Sequence, residues 1–218
     1  LLLAVRQGAG QPAGRVGGLD KLVDCTSRMH LSAMGDAATH GEIQRWLVNR
    51  LRFADDLKRH PEILDEVIDD PIIILGLPRT GTTKLQRLIA ADPGIISLKF
   101  WQAAMPARIP GAVPGQEDPR IDMARQMIAM LAQVSPGLLQ SHPLQAEFPE
   151  EEFFLQMLTF RTPAMYLNHP APGFAEWVAT QSLMPTYRYM KQILQYLQWQ
   201  GGAGKENARG RRWLLKTP

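Results

Sequence analysis

The spacing of apolar residues predicts helices in the first part of the chain. Within residues 19–70, the stretch GEIQRWLVNRLRFADDLKRHP has apolar residues at helical intervals, with basic residues between them. This apolar face consists of Ile43, Leu47, Leu51 and Ala54. Pro61 is expected to end the helix, and a shorter helix is predicted in EILDEVI after it. Residues 1–70 are therefore predicted to form an N-terminal helical region.

From residue 71 onward the pattern changes to short apolar runs separated by helical segments. The run at 72–75 is continuous and largely β-branched, which is typical of a buried strand in a parallel sheet. Further strands are predicted in GIISLKFW at 94–101 and in RWLLK at 212–216. Helices are predicted in TTKLQRLIAA and at 119–133, 149–161 and 185–199. This order favours an α/β fold over residues 71–218, with a P-loop-type parallel sheet flanked by helices.

Composition and charge exclude several classes of protein. A net charge of +3 over 218 residues is small and dispersed, which argues against a nucleic-acid partner. No apolar run approaches the roughly 20 residues that a membrane-spanning helix needs, so no integral membrane segment is predicted. The single Cys25 can form no internal disulfide, which indicates a reducing compartment and hence the cytoplasm. The composition indicates no oligomeric state.

The turn in PIIILGLPRTGTT, residues 71–83, carries the clearest chemical signal. Gly76 and Gly81 have the spacing of a phosphate-binding loop between a strand and a helix. Loops that bind nucleoside triphosphates have a lysine directly after the second glycine, whereas this chain has Thr82. The cation lies inside the loop, at Arg79, whose guanidinium can hold a phosphate through two hydrogen bonds. The loop is therefore predicted to bind a single phosphate group without Mg²⁺. The alternative is a tight turn whose threonines only cap the helix.

Two other groups of polar residues suggest chemistry near the sheet. Lys216 follows an apolar strand, and binding groups of open α/β sheets gather at the carboxyl ends of strands. HPLQAEFPEEEFF offers His142 and several carboxylates as a base for activating an acceptor. These carboxylates are Glu147, Glu150, Glu151 and Glu152. Simpler explanations exist: Lys216 can be a solvated charge, and acids after Pro149 can complement the dipole of a helix beginning there.

Taken in order, these segments resemble the sulfotransferases that use 3′-phosphoadenosine-5′-phosphosulfate (PAPS) as donor. PIIILGLPRTGTTKLQRLIAADP is similar to their 5′-phosphosulfate-binding loop, in the Pro-Arg-Ser/Thr-Gly-Thr-Thr form of the bacterial branch. The resemblance extends from about residue 40 onward through NRLRFADDLKRHPEIL, DPRI, HPLQAEFPEEEFFL, YLQWQ and RWLLKTP. It implies a metal-free sulfotransferase that moves a sulfuryl group from PAPS to a hydroxyl or amine of a small-molecule acceptor.

The resemblance also implies roles for individual residues. It assigns the following loop residues to the donor: Gly76, Pro78, Arg79, Thr80, Gly81, Thr82 and Thr83. Lys216 is expected to contact the donor, and His142, Glu150 and Glu151 are expected near the acceptor. RWLLKTP is similar to a Lys-Ser/Thr-Pro-x-His pattern, so a candidate histidine base is expected beyond Pro218. The chain is accordingly expected to be a fragment that lacks the C-terminal part.

Two other functions stay open at this point. One is a nucleotide or small-molecule kinase with an unusual phosphate loop, which would need a loop lysine and a Mg²⁺-ligating acid. Thr82 at the lysine position argues against it. The other is a nucleotide-binding module without catalytic activity. The sequence does not identify the acceptor.

Overall fold

The computed structural model describes residues 17–77, 79–112, 116–165, 171–201 and 211–217. Along the chain, the helices are α1 Gly17–Thr26, α2 Ala33–Arg59, α3 Thr82–Ile89, α4 Phe100–Ala104, α5 Pro119–Val134, α6 Pro136–Ser141, α7 Phe153–Met157, α8 Phe174–Ala179 and α9 Met184–Gln200. A 3-10 turn spans Pro61–Asp65, and the strands are β1 Ile72–Leu75, β2 Ile95–Ser97 and β3 Arg212–Thr217. None of the described helices is both long and apolar enough to cross a bilayer.

The chain forms two compact units. The first consists of Leu1–Asp65 with Phe153–Tyr196, and the second consists of Glu66–Glu152 with Leu197–Pro218. The predicted division of the chain at residue 70 stays a prediction. All the predicted site residues belong to the second unit, since they lie between residues 76 and 151 or at Lys216.

The helices of the first unit enclose an apolar core. The predicted long helix is confirmed as α2, which begins after Ser32, whose hydroxyl accepts the Gly35 N–H at 3.1 Å. It ends just before Pro61, and the segment after that proline forms a 3-10 turn. Trp46 of α2 meets Phe160 edge to face with ring centroids 5.7 Å apart. This core therefore joins α2 to residues near 160, far away in sequence.

The second unit contains a parallel sheet, as predicted. Its strand order is β1-β3-β2, with both outer strands parallel to β3. The register pairs Ile74 with Lys216 on one side and Ser97 with Leu214 on the other. The central strand β3 pairs on both edges, and its residues from Trp213 to Lys216 are buried. The α/β fold class is therefore confirmed.

Strand β1 is less buried than its sequence suggests. Only Ile74 is buried, whereas Ile73 is 54% and Leu75 is 76% exposed. Within the described residues, β1 has a single neighbouring strand, and one of its faces is uncovered. The continuous apolar run therefore predicted the strand correctly, but the prediction that the strand is buried is wrong for Ile73 and Leu75.

The glutamates at 150–152 do not begin a helix, and the prediction of a helix over 149–161 is wrong at its start. Lys99 forms an antiparallel bridge with Pro149, and the Glu150 N–H donates to the Leu98 carbonyl at 2.7 Å. These bonds hold the segment extended until α7 begins at Phe153. None of the three acids therefore lies in the first turn of a helix.

Candidate active site

The turn between β1 and α3 has a tight backbone conformation that requires glycine at Gly76 and Gly81. A Cβ on Gly76 would lie 2.7 Å from the Thr82 methyl carbon, so only glycine fits there without a shift. Gly81 has φ +89°, and Arg79 has φ +69°, a left-handed conformation that an arginine rarely adopts. The Thr80 hydroxyl donates to the Leu77 carbonyl at 2.7 Å and closes the turn. Pro78, which was also predicted to bind the donor, lies outside the described residues.

Four backbone amides at the start of α3 have no acceptor among the described residues. Among the described residues, no protein group accepts the N–H of Thr80, Gly81, Thr82 or Thr83. Leu85 is the first residue of the helix whose N–H has an acceptor, the Gly81 carbonyl at 3.1 Å. Unpaired amides and the positive end of a helix dipole together form an anion site. The N-cap is Gly81, which makes no side-chain cap bond, so the alternative in which threonines cap α3 is wrong.

Two arginines hold the segment on either side of His142. The Arg79 guanidinium donates to the Ser141 carbonyl. Arg87 of α3 donates to the Pro143 carbonyl at 3.1 Å. The phosphate-type loop and its helix therefore both contact the chain next to the predicted histidine.

Lys216 is a buried cation and not a solvated charge. It lies near the carboxyl end of β3 and is 3% exposed. Its ammonium group forms an ion pair with Glu151 and donates to the Thr83 hydroxyl at 3.1 Å. Because Thr83 belongs to the first turn of α3, this hydrogen bond joins Lys216 to the helix that follows the glycine-rich turn.

His142 and Glu150 form a second polar pair. The His142 Nε2 lies 3.1 and 3.2 Å from the two Glu150 carboxylate oxygens. The hydrogen bond with Glu150 raises the pKa of His142, while burial acts in the opposite direction. The Glu151 N–H donates to the same carboxylate at 2.9 Å, and Gln86 donates to the Glu150 carbonyl at 3.1 Å. The imidazole of His142 is therefore held by a carboxylate that is itself fixed.

Two residues of this site make contacts that were not predicted from the sequence, Glu152, which was listed only as one of several candidate bases, and Gln86. Glu152 accepts the Lys216 backbone N–H at 2.8 Å, and burial raises the pKa of its carboxyl group. Gln86 is 1% exposed and orients Glu150. The run of three consecutive glutamates is a sequence signal that could have pointed to a role for Glu152. Gln86 carries no comparable signal, because a single glutamine on a helix is ordinary.

Ligand atoms of three residues in this site lie close enough to reach one cation. Those of His142, Glu150 and Glu151 are all within 4.8 Å of one another. Both carboxylates already have partners inside the protein, the imidazole for Glu150 and the Lys216 ammonium for Glu151.

The His142–Glu150 pair predicts a pH dependence of stability. Because the folded pKa of His142 lies above its usual 6.5, the pair stabilises the fold fully below that pH. The stabilisation is lost as the pH rises through the folded pKa. Nearby Glu151 favours the charged imidazole, and Lys216 opposes it. Urea unfolding of the parent and of His142→Gln at about pH 6 and about pH 9 should show a larger difference at the lower pH. A difference that grows with pH would contradict the pairing.

The fold of this chain is similar to that of two solved structures. The sulfotransferase STF1 from Mycobacterium tuberculosis H37Rv is 25% identical, with a TM-score of 0.71, and the similarity covers 100% of this chain and 60% of that one. For sulfotransferase STF9 from Mycobacterium avium the identity is 27% and the TM-score 0.76, with 100% of this chain and 55% of that one covered. This chain thus spans less than two thirds of the length of either protein. Among curated proteins the comparison finds no match.

The sequence profile of one protein family matches more than half of the chain. The match spans residues 71–198, which include the glycine-rich loop, His142 and the glutamates at 150–152. It agrees with the parallel sheet and with the two sulfotransferase structures. The chain belongs to the sulfotransferase family.

Proposed function

We propose that the protein containing this chain transfers a sulfuryl group from PAPS to a hydroxyl or amine of a small-molecule acceptor. The observation that carries this proposal is the hydrogen bond between the Lys216 ammonium and the Thr83 hydroxyl, 3.1 Å long. It joins a buried cation to a turn with unpaired amides. A transferred group bound by the turn would therefore lie within reach of a positive charge.

The turn suits the single 5′-phosphate of PAPS. Backbone amides of residues 79–83 would surround the phosphate oxygens, and Gly76 and Gly81 let the chain approach them. The guanidinium of Arg79 would add a charge-assisted contact. The hydroxyls of Thr82 and Thr83 and the loop around Pro78 and Thr80 complete this donor-binding set. Thr82 stands where loops that bind triphosphates have the lysine that reaches the β- and γ-phosphates, which argues against a triphosphate ligand.

The reaction follows from the charges that develop. The acceptor oxygen or nitrogen attacks sulfur, and the bond between sulfur and the phosphate oxygen breaks. The electron pair of that bond stays on the phosphate oxygen, where Lys216 would neutralise the growing charge. Positioning and charge stabilisation should supply most of the rate, as in phosphoryl transfer.

The acceptor proton needs a base, and we assign this role to His142 supported by Glu150. Glu150 would stabilise the imidazolium that forms when His142 takes the proton. Glu151 would hold the Lys216 ammonium in place through their ion pair. A histidine beyond Pro218, implied by the sequence resemblance, is the competing base. A cytoplasmic location also stays a prediction.

Thermal unfolding with different nucleotides tests this proposal. Adenosine 3′,5′-bisphosphate in EDTA should stabilise the full-length protein by about 2.7 kcal/mol at a concentration of 100 times its Kd. A kinase would instead be stabilised by ATP with Mg²⁺, and a module that binds neither nucleotide would show no shift. Release of the bisphosphate from PAPS in the presence of 2-naphthol or a primary alcohol then tests transfer itself. Stabilisation by Mg²⁺-ATP alone would contradict the proposal.

A further inference from the structure

The sheet opens at the carboxyl ends of β2 and β3. Arg212 donates its N–H to the Gly94 carbonyl at 3.1 Å, on the β2 side of β3. Strand residues alternate with a period of two, so the N–H of Lys216 points to the same side. The next acceptor along β2 would be the Leu98 carbonyl, but this group takes the Glu150 N–H at 2.7 Å. Strand pairing therefore stops before it reaches Lys216.

The carboxylate of Glu152 takes the place of the carbonyl acceptor that a longer β2 would offer to Lys216. It accepts the Lys216 N–H at 2.8 Å, and the bond is buried because Glu152 is 4% and Lys216 is 3% exposed. In the apolar interior an unpaired amide is costly, so this acceptor fixes where the backbone of Lys216 can lie. Burial also raises the pKa of the Glu152 carboxyl group.

The three consecutive glutamates thus hold three different groups. Glu150 holds the His142 imidazole, and Glu151 holds the Lys216 ammonium. Glu152 holds the Lys216 backbone. A lysine with four rotatable side-chain bonds keeps its ammonium in place only when both ends are fixed. The two contacts of Lys216 supply that fixation from adjacent residues.

We infer that Glu152 is a positioning residue that sets the location of Lys216 by taking the place of a strand at the open edge of β3. This inference rests on the proposed function, since it gives Lys216 a task that depends on its position. The contact that carries this assignment is the bond from the Lys216 N–H to the Glu152 carboxylate, and Glu152 is given no direct role toward the donor or the acceptor. Its effect on turnover should therefore arise through Lys216.

Four variants of the full-length protein test this inference. Glu152→Leu removes the acceptor, and Glu152→Asp withdraws it by one methylene group. Both should lower kcat about 10- to 100-fold, because displacement of a catalytic group by about 1 Å has effects of this size. Glu152→Gln keeps a carbonyl oxygen for the Lys216 N–H and should recover most of that loss. Glu117→Gln is the matched control, since Glu117 has no proposed role in the site, is half exposed and pairs with Arg125 at 3.1 Å.

Hydrogen–deuterium exchange of the peptide covering 212–217 supplies a readout that does not depend on activity. Exchange in this peptide should be faster in Glu152→Leu and Glu152→Asp than in the parent. It should match the parent in Glu152→Gln and Glu117→Gln. Parent-like exchange in both damaging variants would overturn the inference, as would unchanged kcat in an active parent. If the parent transfers no sulfuryl group, the proposed function fails while the exchange result still tests the contact.

Discussion

Lys216→Met is expected to lower kcat for sulfuryl transfer by about 100- to 1,000-fold. The substitution keeps most of the side-chain volume but removes the buried cation that is bonded to Thr83 and paired with Glu151. That cation is proposed to neutralise the charge on the departing phosphate oxygen. Steady-state kinetics with PAPS, together with a separate measurement of donor affinity, would show whether the loss lies in turnover.

A double variant separates this catalytic effect from a loss of stability. Lys216→Met leaves the Glu151 carboxylate, which is 5% exposed, without its cationic partner. Breaking such a buried pair costs about 3–5 kcal/mol of unfolding free energy. Lys216→Met combined with Glu151→Gln should regain much of that stability while turnover stays low. Turnover that returns together with stability would contradict a direct role for the ammonium group.

Arg79→Ala is expected to weaken the binding of adenosine 3′,5′-bisphosphate by about 10- to 100-fold. The guanidinium is proposed to add a charge-assisted hydrogen bond to the 5′-phosphate, and alanine cannot replace it. Calorimetric titration in EDTA measures the change directly. Arg79→Lys should lose less affinity, because it keeps the charge but not the planar pair of donors.

Thr80→Ala is the matched control within the same turn. The Thr80 hydroxyl already donates to the Leu77 carbonyl at 2.7 Å, so its hydrogen is committed inside the loop. A smaller loss of affinity than in Arg79→Ala is therefore expected. Equal losses in the two variants would mean that the guanidinium has no particular role in the donor site.

The parts of the fold that depend on local pattern were predictable from the sequence. The long helix before Pro61, the strand at 72–75 and the turn at Gly76 and Gly81 all lie where the pattern placed them. Helical periodicity and glycine-rich turns act over a few residues, so a single sequence carries their signal. The second and third strands were also located, although β2 is shorter than the predicted segment.

The parts that depend on distant residues were not predictable in the same way. Pro149 followed by three acids has the pattern of a helix start, yet the Leu98 carbonyl and the Lys99 backbone hold this segment extended. The burial of Lys216 depends on Glu151, which lies on a separate segment of the chain. Without the resemblance to a known family, a lysine at a strand end has the pattern of a solvated charge.

The open edge of the sheet explains why these residues meet. Parallel strands direct their carboxyl ends to one side, where ligands bind in the crevice beyond them. The extended segment 149–152 enters this crevice, and its carboxylates meet the end of β3 there. Neither the sequence of β2 nor the run of glutamates shows by itself that the pairing of β2 with β3 ends at Ser97 and Leu214.

A crystal structure of the full-length protein with adenosine 3′,5′-bisphosphate in EDTA would show whether the glycine-rich turn binds the donor. We expect a 5′-phosphate bound by the amides of residues 79–83 and by the Arg79 guanidinium, with the Lys216 ammonium beside it. We also expect that no metal ion is needed for this binding. A phosphate bound away from this turn, or nucleotide binding only with Mg²⁺, would contradict the account.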